Sequence, residues 1–307
     1  MPAKNGSAQT GNSSPPELSV KLPELWDLPA ISCPWEIVER PVDILLLTVE
    51  DCEFLSCFTY LKKPFKSYHI STGPVYFGCM GDDQGKKMKI ALMRCSKGPD
   101  VPGGSLSISK DPILLLRPKA IFSVGACSGL NNKKVKLGDV VVSAKLITAA
   151  QKTPPSRDIG NLIKHMADGW KAPLLNADEY NAKVHCDGVV LSISEANRDM
   201  IRKHPEAIAV EMEGGGVYAA AAHDFKTEWV VVKGIKDLVG ETQSSSKKWK
   251  QIACVMAASV VANILNDSGI FQDWTHFNAD TSESHAPAVS AYTAALKSSI
   301  LGQTEFQ

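Results

Sequence analysis

Two carboxylates that follow apolar runs are the residues of this chain most suited to chemistry. Glu213 follows the apolar run at 207–212 and precedes three glycines, and Asp237 follows the β-branched run at 229–233. In open α/β sheets, the carboxyl ends of the strands build the ligand sites. A charged group buried there needs partners, because an unpaired buried charge is costly. The pattern therefore predicts that both carboxylates belong to one binding site.

The two carboxylates suit different chemical roles. Glu213 needs hydrogen-bond donors, and the vicinal hydroxyls of a sugar would supply two. Asp237, if buried enough to hold a proton at neutral pH, could pass that proton to a leaving group. Each also has a structural alternative, since Glu213 could cap the start of a helix and Asp237 could be the N-cap of the next one.

Alternating strand and helix patterns predict the elements that must position these side chains. Strands are predicted at 43–48, 75–79, 89–95, 120–125, 138–147, 189–193, 207–212 and 229–233, and helices at 50–62, 109–117, 158–171, 194–204, 216–224 and 247–266. This order predicts an α/β fold, a three-layer α/β/α sandwich with a mixed central sheet. A hairpin turn is expected at 82–85, and the loop at 99–104 is either a lid or a surface connection.

Four segments carry a resemblance to a known family. They are Asp43–Thr48 with Glu53, Val124–Leu130 with Leu137–Val142, Val210–Gly216, and Lys233–Asp237. In this order they resemble the superfamily of methylthioadenosine/adenosylhomocysteine nucleosidase, purine nucleoside phosphorylase and uridine phosphorylase. The resemblance covers about residues 41–266 and implies a nucleoside phosphorylase-like fold and a symmetric homo-oligomer.

The resemblance also implies roles for individual residues. Asp237 corresponds to the acid that protonates the purine, and Glu53 to the glutamate that activates water, with Glu50 and Asp51 as rivals. The residues expected to bind substrate are Met212 and Glu213 at the ribose, with Glu211, Gly125, Ala126, Cys127 and Ser192 around the ribose and base.

Several positions depart from the family's pattern. Where the phosphorylases hold phosphate, this chain has Val49 or Asp51, Ser123 and Ala126. An oxyanion needs charge-assisted donors, so water is the expected nucleophile. Lys236 before Asp237 would favour the ionised acid and weaken it as a proton donor. Together with Ile193 in place of a glycine, Lys236 also motivates a catalytically impaired sensor as an alternative.

Three cations are candidate phosphate contacts. Arg94 and Lys97 follow a predicted core strand, and Lys236 precedes Asp237. If they face the site, the substrate could be a nucleotide, or phosphorolysis could be restored. The alternative is that they are solvated at the surface, as most such residues are.

These residues predict a purine nucleosidase that hydrolyses the N-glycosidic bond of a purine nucleoside or nucleotide, with adenine as the expected base. A phosphate-dependent nucleoside phosphorylase is the second reading, and a nucleoside- or nucleotide-binding sensor is the third. No cofactor or metal is expected, because the chain has no zinc-type spacing of His and Cys, no Gly-x-Gly-x-x-Gly motif and no Walker loop.

Composition limits the possible partners and the expected location of the protein. Lys plus Arg and Asp plus Glu both number 33, so no net charge favours a nucleic acid polymer or an anionic membrane. Eight dispersed cysteines and the lack of a secretory signal or a long apolar run predict a cytoplasmic protein. The expected organisation is a flexible leader over 1–30, a nucleosidase-like domain over 31–270, and a disordered or docking tail over 271–307.

Overall fold

Runs of aliphatic and β-branched residues form the strands of a mixed sheet. The structure is a computed structural model, which describes residues 14–81, 87–99, 101–130, 133–193, 199–224, 227–240 and 247–276. In these residues the strands are β1 Ser32–Cys33, β2 Ile44–Thr48, β3 Lys62–His69, β4 Gly73–Met80, β5 Met88–Arg94, β6 Ala120–Gly129, β7 Val140–Ile147, β8 Lys152–Thr153, β9 Val184–Ser192, β10 Ala209–Glu211 and β11 Glu228–Leu238.

Helices connect most of these strands. They are α1 Asp51–Phe58, α2 Ser105–Leu116, α3 Arg157–Ile163, α4 Ala177–Tyr180, α5 Asp199–Lys203, α6 Gly214–Tyr218 and α7 Lys247–Leu265. A π-helical segment, Ala219–Asp224, continues α6. Short 3-10 helices lie at Leu25–Asp27, Trp35–Ile37 and Ser268–Phe271.

The sheet has the order β1-β3-β4-β5-β2-β6-β10-β9-β7-β11, and β8 pairs with β7. Strand β6 runs parallel to β2 and β11 and antiparallel to β10. Because β11 pairs with both β6 and β7, the strands β6, β10, β9, β7 and β11 form a closed ring. The predicted mixed α/β fold is confirmed, and ring closure brings the carboxyl ends of β6 and β11 together.

Alternating side chains of the central strands point to two separate cores. Leu46, Phe122 and Val232 pack on one face with residues of α1, α3 and α7. Leu45 and Val231 pack on the other face with residues of α2 and α6. Helices therefore cover both faces of the sheet, as expected for strands buried on both sides.

The helices predicted at 50–62 and 158–171 both end earlier than expected, the second of them at Ile163. The helix predicted at 50–62 ends at Phe58, and the chain then forms β3, which the sequence did not predict. Within β3, Ser67 is the buried residue and the others are partly or fully exposed, so no apolar alternation marked this strand. The hairpin turn predicted at 82–85 lies outside the described residues. The two strands that flank it, β4 and β5, are described.

Parts of the predicted leader and tail pack on the domain. Backbone hydrogen bonds join Ser19 to Pro173 and Leu175 to Glu17. At the other end, Phe271 is fully buried. The domain boundaries at 30 and 271 stay predictions. None of the helices in the described part of the chain is long and apolar enough to cross a membrane.

Helix α7 is held close to the sheet by a glycine of β11. A Cβ atom added to Gly234 would lie 2.0 Å from the carbonyl oxygen of Ala253 in α7. Real Cβ atoms do not approach backbone atoms this closely, so a larger residue would push α7 away from the sheet.

We therefore expect Gly234→Ala to lower the free energy of unfolding by about 3 kcal/mol, the upper range for overpacking. Denaturant unfolding checks the value. Gly215→Ala is the matched control, because its added Cβ meets no atom closer than 3.4 Å and should change stability by less than about 1 kcal/mol. Equal stabilities of the two variants would contradict the proposed tight packing of α7.

Candidate active site

A cavity of about 390 Å³ lies where β2, β6, β10 and β11 end. Its lining residues are Val49, Glu50, Glu53, Lys97, Ala126, Cys127, Ser128, Ile193, Ile201, Val210, Glu211, Met212, Glu213, Lys236, Val239, Gly240 and Lys250. Eight of the residues predicted from the sequence are in this lining, namely Glu53, Ala126, Cys127, Glu211, Met212, Glu213, Lys97 and Lys236. Four others, Asp237, Gly125, Ser192 and Arg94, are outside it.

Glu53 is held at the cavity by backbone amides. Its Oε2 accepts hydrogen bonds from the N–H groups of Val49 and Glu50, at 2.8 and 3.1 Å. The bond from Glu50 belongs to the capping box that starts α1. Its Oε1 accepts a third bond, 2.8 Å long, from the N–H of Ala126 in β6. A carboxylate has about four lone-pair sites, so three amide donors leave room for a water molecule.

Gly125 lies directly behind this carboxylate. A Cβ atom on Gly125 would lie 2.2 Å from Glu53 Oε1. The glycine therefore lets the carboxylate approach the backbone of β6 closely enough to reach the Ala126 amide. Gly125 contributes to the site by positioning Glu53, although the residue itself is outside the cavity lining.

Glu211 and Ser192 organise the start of α6. The Glu211 carboxylate accepts hydrogen bonds from the N–H groups of Glu213 and Gly214, at 2.9 to 3.0 Å. Ser192 Oγ accepts from the N–H of Gly215 at 2.9 Å. These bonds satisfy amides that a helix start would otherwise leave unpaired. Both side chains thus hold the segment that carries Met212 and Glu213.

Glu213 is buried beside a lysine. Lys233 Nζ lies 3.7 Å from Glu213 Oε2, and the Lys233 side chain is 1% exposed. The backbone of the same glutamate is held by Ser105, whose Oγ donates to the Glu213 carbonyl at 2.8 Å. Position 213 is therefore fixed from α2 as well as from β11.

Burial and the neighbouring charges shift the pKa values of Glu213 and Lys233 in opposite directions. Burial raises the pKa of Glu213 above its ordinary value, and the charge of Lys233 opposes that rise. Burial alone would lower the pKa of Lys233, but the charges of Glu213, Glu53 and Glu211 raise it overall. Lys233 is thus a buried cation that interacts electrostatically with three carboxylates.

Lys236 lies at the cavity, as a phosphate contact would, but Asp237 does not line it. Lys236 lines the cavity, whereas Asp237 lies half-buried beside it and pairs with Ser128 of β6. The register between β11 and β6 shifts between Ile235 and Asp237, so simple alternation breaks down here. Asp237 is still near the site, since its charge acts on the pKa of the cavity-lining thiol of Cys127, which burial raises.

The cations of the site have different surroundings. Lys250 of α7 lines the cavity and forms an ion pair with Glu50. Arg94 instead pairs with Asp51 and lies over the ring of Phe54, 4.3 Å from the ring centroid. Within the described residues, no group of three or more His, Cys, Asp or Glu side chains could hold a metal ion.

Sequence reasoning missed Lys233 and Lys250. Lys233 interrupts the apolar run of β11, and a lysine inside a buried strand is itself a signal of a paired charge. Lys250 has no such signal, because helix α7 begins with several polar residues and only the packing of α7 against α1 brings Lys250 to the cavity.

The fold and this site match one protein class. The chain belongs to the phosphorylase superfamily, whose family model matches residues 53–266. This match covers the strands and helices that build the cavity, from Glu53 to the end of α7.

Two relatives of this chain are nucleosidases. This chain is 32% identical over 187 residues to a death domain-containing ATP nucleosidase from Amphimedon queenslandica. The aligned region covers 50% of this chain and 34% of that protein. It is 27% identical over 172 residues to a 5′-methylthioadenosine/S-adenosylhomocysteine nucleosidase from Desulfotalea psychrophila, with 52% of this chain and 70% of that protein covered. The matched region is thus about a third of the Amphimedon protein.

Solved structures share the fold. A 5′-methylthioadenosine/S-adenosylhomocysteine nucleosidase from Colwellia psychrerythraea, crystallised with adenine, has a TM-score of 0.59 at 17% identity, covering 77% of this chain and 98% of that one. Futalosine hydrolase from Helicobacter pylori has a TM-score of 0.55 at 16% identity, covering 74% of this chain and 98% of that one.

The Lys233–Glu213 pair generates a pH prediction. Without the cation, nothing offsets the effect of burial, so the pKa of Glu213 rises further and the ionised form is lost at a higher pH. If the ionised form binds the substrate, Lys233→Met should move the acidic limb of the kcat/KM profile upward by about one to two pH units.

Lys233→Arg is the matched control, since it keeps the charge and should keep the limb within about half a pH unit of the parent. Unfolding curves establish that both variants are folded at each pH. An unmoved acidic limb in a folded Lys233→Met protein would remove Lys233 from the electrostatics of Glu213.

Proposed function

We propose that the protein hydrolyses the N-glycosidic bond of a purine nucleoside or nucleotide, releasing adenine and the ribose product. Relatives at 32% and 27% identity are nucleosidases. The site supports the same chemistry, because it places the buried carboxylates of Glu53, Glu211 and Glu213 at one cavity.

The expected transition state has positive charge on the ribose and negative charge on the departing base. Glu213 provides a negative charge and hydrogen-bond acceptors for the sugar hydroxyls. Glu53 takes a proton from the attacking water through the lone pairs that its amide donors leave open. Met212 would contact the sugar from the same wall of the cavity.

The hydrogen bond from Ala126 N–H to Glu53 Oε1 is the observation that favours water as the nucleophile. Phosphate would need donors near β2 and β6, but the amides of Val49, Glu50 and Ala126 already donate to a carboxylate. A phosphate dianion placed there would meet the negative charge of Glu53. Hydrolysis avoids this repulsion because water is neutral.

Two neighbouring residues are candidates for the proton donor to the base. Asp237 would have to turn toward the cavity, whereas Lys236 already lines it. The register shift between Ile235 and Asp237 places both residues at the same break in the strand. We propose that Asp237 is the acid and that Lys236 contacts the substrate, an assignment that the two variants below separate.

The lysines of the lining favour a nucleotide over an uncharged nucleoside. Lys97, Lys236 and Lys250 come from three different segments and line one cavity. A 5′-phosphate chain would add a further anionic partner for these ammonium groups, of which Lys250 also pairs with Glu50. Arg94 lies outside the cavity lining and is therefore less suited to this role.

Three further expectations belong to this proposal: a homo-oligomer, a cytoplasmic location, and a purine as the ligand rather than a nucleic acid polymer. Solved relatives of the same fold were crystallised with adenine or nucleoside analogues. A sensor that binds nucleotides without cleaving them is the competing function, motivated by Lys236 and Ile193 at the cavity.

Base release in phosphate-free buffer tests the class of reaction. With adenosine, methylthioadenosine, AMP and ATP as substrates, we expect adenine at a rate that added phosphate does not raise, together with a ribose product that lacks a new phosphate. Chromatography of both products measures this. Formation of ribose 1-phosphate only in the presence of phosphate would establish a phosphorylase, and tight binding without release would establish a sensor.

Paired variants test the proton donor. We expect Asp237→Asn to lower kcat by at least ~10²-fold, the usual scale for loss of a general acid. Lys236→Met should mainly raise KM for nucleotides, because it removes a cation and leaves the acid in place. Near-full turnover by Asp237→Asn, with the large loss of kcat in Lys236→Met instead, would assign the proton to Lys236.

A further inference from the structure

Two cysteines far apart in the chain meet beside the candidate active site. Cys52 Sγ in α1 and Cys254 Sγ in α7 are 3.2 Å apart, although 202 positions separate them in the sequence. Both are free thiols, as are the other cysteines of the described residues. Because a disulfide needs sulfurs about 2.05 Å apart, this pair needs an approach of only about 1 Å to bond.

Each cysteine is close in sequence to a residue that lines the cavity. Cys52 directly precedes Glu53, and Cys254 lies one helical turn after Lys250 in α7. Lys250 in turn pairs with Glu50 at the start of α1. Helices α1 and α7 therefore touch through an ion pair and a thiol pair, both next to the glutamate that we assign to water activation.

The two thiols have unequal chemical environments. Cys254 is buried, whereas Cys52 is partly exposed and can meet a small oxidant. The hydrogen bond with Cys254 lowers the pKa of Cys52, opposed by burial and by the charge of Glu53, while Lys250 lowers it and Glu50 raises it. The pKa of Cys254 is raised by the same hydrogen bond and by burial. Cys52 is thus the nucleophile of the pair, since the thiolate reacts.

We propose that Cys52 and Cys254 are a redox site that forms a reversible disulfide on reaction with a peroxide, clamping α1 to α7 beside Glu53. The Cys52 thiolate attacks one peroxide oxygen, the O–O bond breaks, and the departing hydroxide takes a proton to become water. The sulfur of Cys254 then attacks the resulting sulfenic acid, and its thiol proton leaves with the hydroxyl as a second water. Both thiols are oxidised by two electrons together, and the peroxide is reduced.

The bond would act on the site through Glu53. Drawing Cys52 toward α7 moves the first turn of α1, which carries the capping box of Glu50 and Glu53. A displacement of about 1 Å in a catalytic group can cost up to about 10²-fold in rate. This effect on activity rests on the proposed function. We expect oxidation to slow base release about tenfold or more, and a dithiol reductant to restore it.

The experiment treats the full chain with hydrogen peroxide at a small molar excess and then counts thiols under denaturing conditions. The parent protein should lose two of its eight thiols. Peptide mapping should show one cross-linked species containing Cys52 and Cys254, which disappears on reduction. Cys52→Ser and Cys254→Ser should each abolish it, and Cys33→Ser, which changes a cysteine on β1, should retain it.

Closing a chain loop of this length should also raise the midpoint of denaturant unfolding of the oxidised protein. Retention of all thiols, or their loss without the Cys52–Cys254 peptide, would overturn the redox site. A cross-linked protein with unchanged base release would overturn the clamp. Because the cross-link is measured without substrate, a protein that releases no base would reject the proposed function and leave the redox test intact.

Discussion

The buried ammonium group of Lys233 is the interaction on which the site depends. It lies in the middle of β11 with 1% of its side chain exposed, and the charges of Glu213, Glu53 and Glu211 act on it together. Removing the charge of Lys233 would leave the carboxylate of Glu213 without this compensation in a region of low dielectric constant. The opposing charge that β11 supplies therefore favours the convergence of three carboxylates on one cavity.

Each carboxylate then has its own local support, which separates their roles. Glu211 accepts hydrogen bonds from the amides at the start of α6, and Glu53 accepts from the amides of Val49, Glu50 and Ala126. Glu213 has an ion pair with Lys233 and lies at the turn between β10 and α6. In the proposed mechanism, three acids of similar type thus serve as a helix cap, a base and an anion that faces the sugar, because the backbone around each one differs.

Much of this arrangement was predictable from the sequence, because the strand ends carry their own signals. The apolar runs predicted the mixed α/β fold, and the run of acids and glycines around Glu213 predicted a cavity wall that the structure contains. The orientation of Asp237 relative to Lys236 was not predictable, since a register shift between paired strands is a property of two strands together. Strand β3 was missed for a related reason, because its exposed face has no apolar alternation.

The proposed choice of water as the nucleophile rests on where the backbone amides point. In this chain the N–H groups at the end of β2 and in the middle of β6 converge on the oxygens of Glu53, and Gly125 provides the space for that carboxylate. An anion-binding site and a carboxylate-binding site use the same donors, so occupation by Glu53 excludes a phosphate from the same amides. A related protein could bind phosphate there only if a residue smaller than glutamate left those donors open. Hydrolysis rather than phosphorolysis would then be a consequence of one side chain filling an anion site that the fold itself creates.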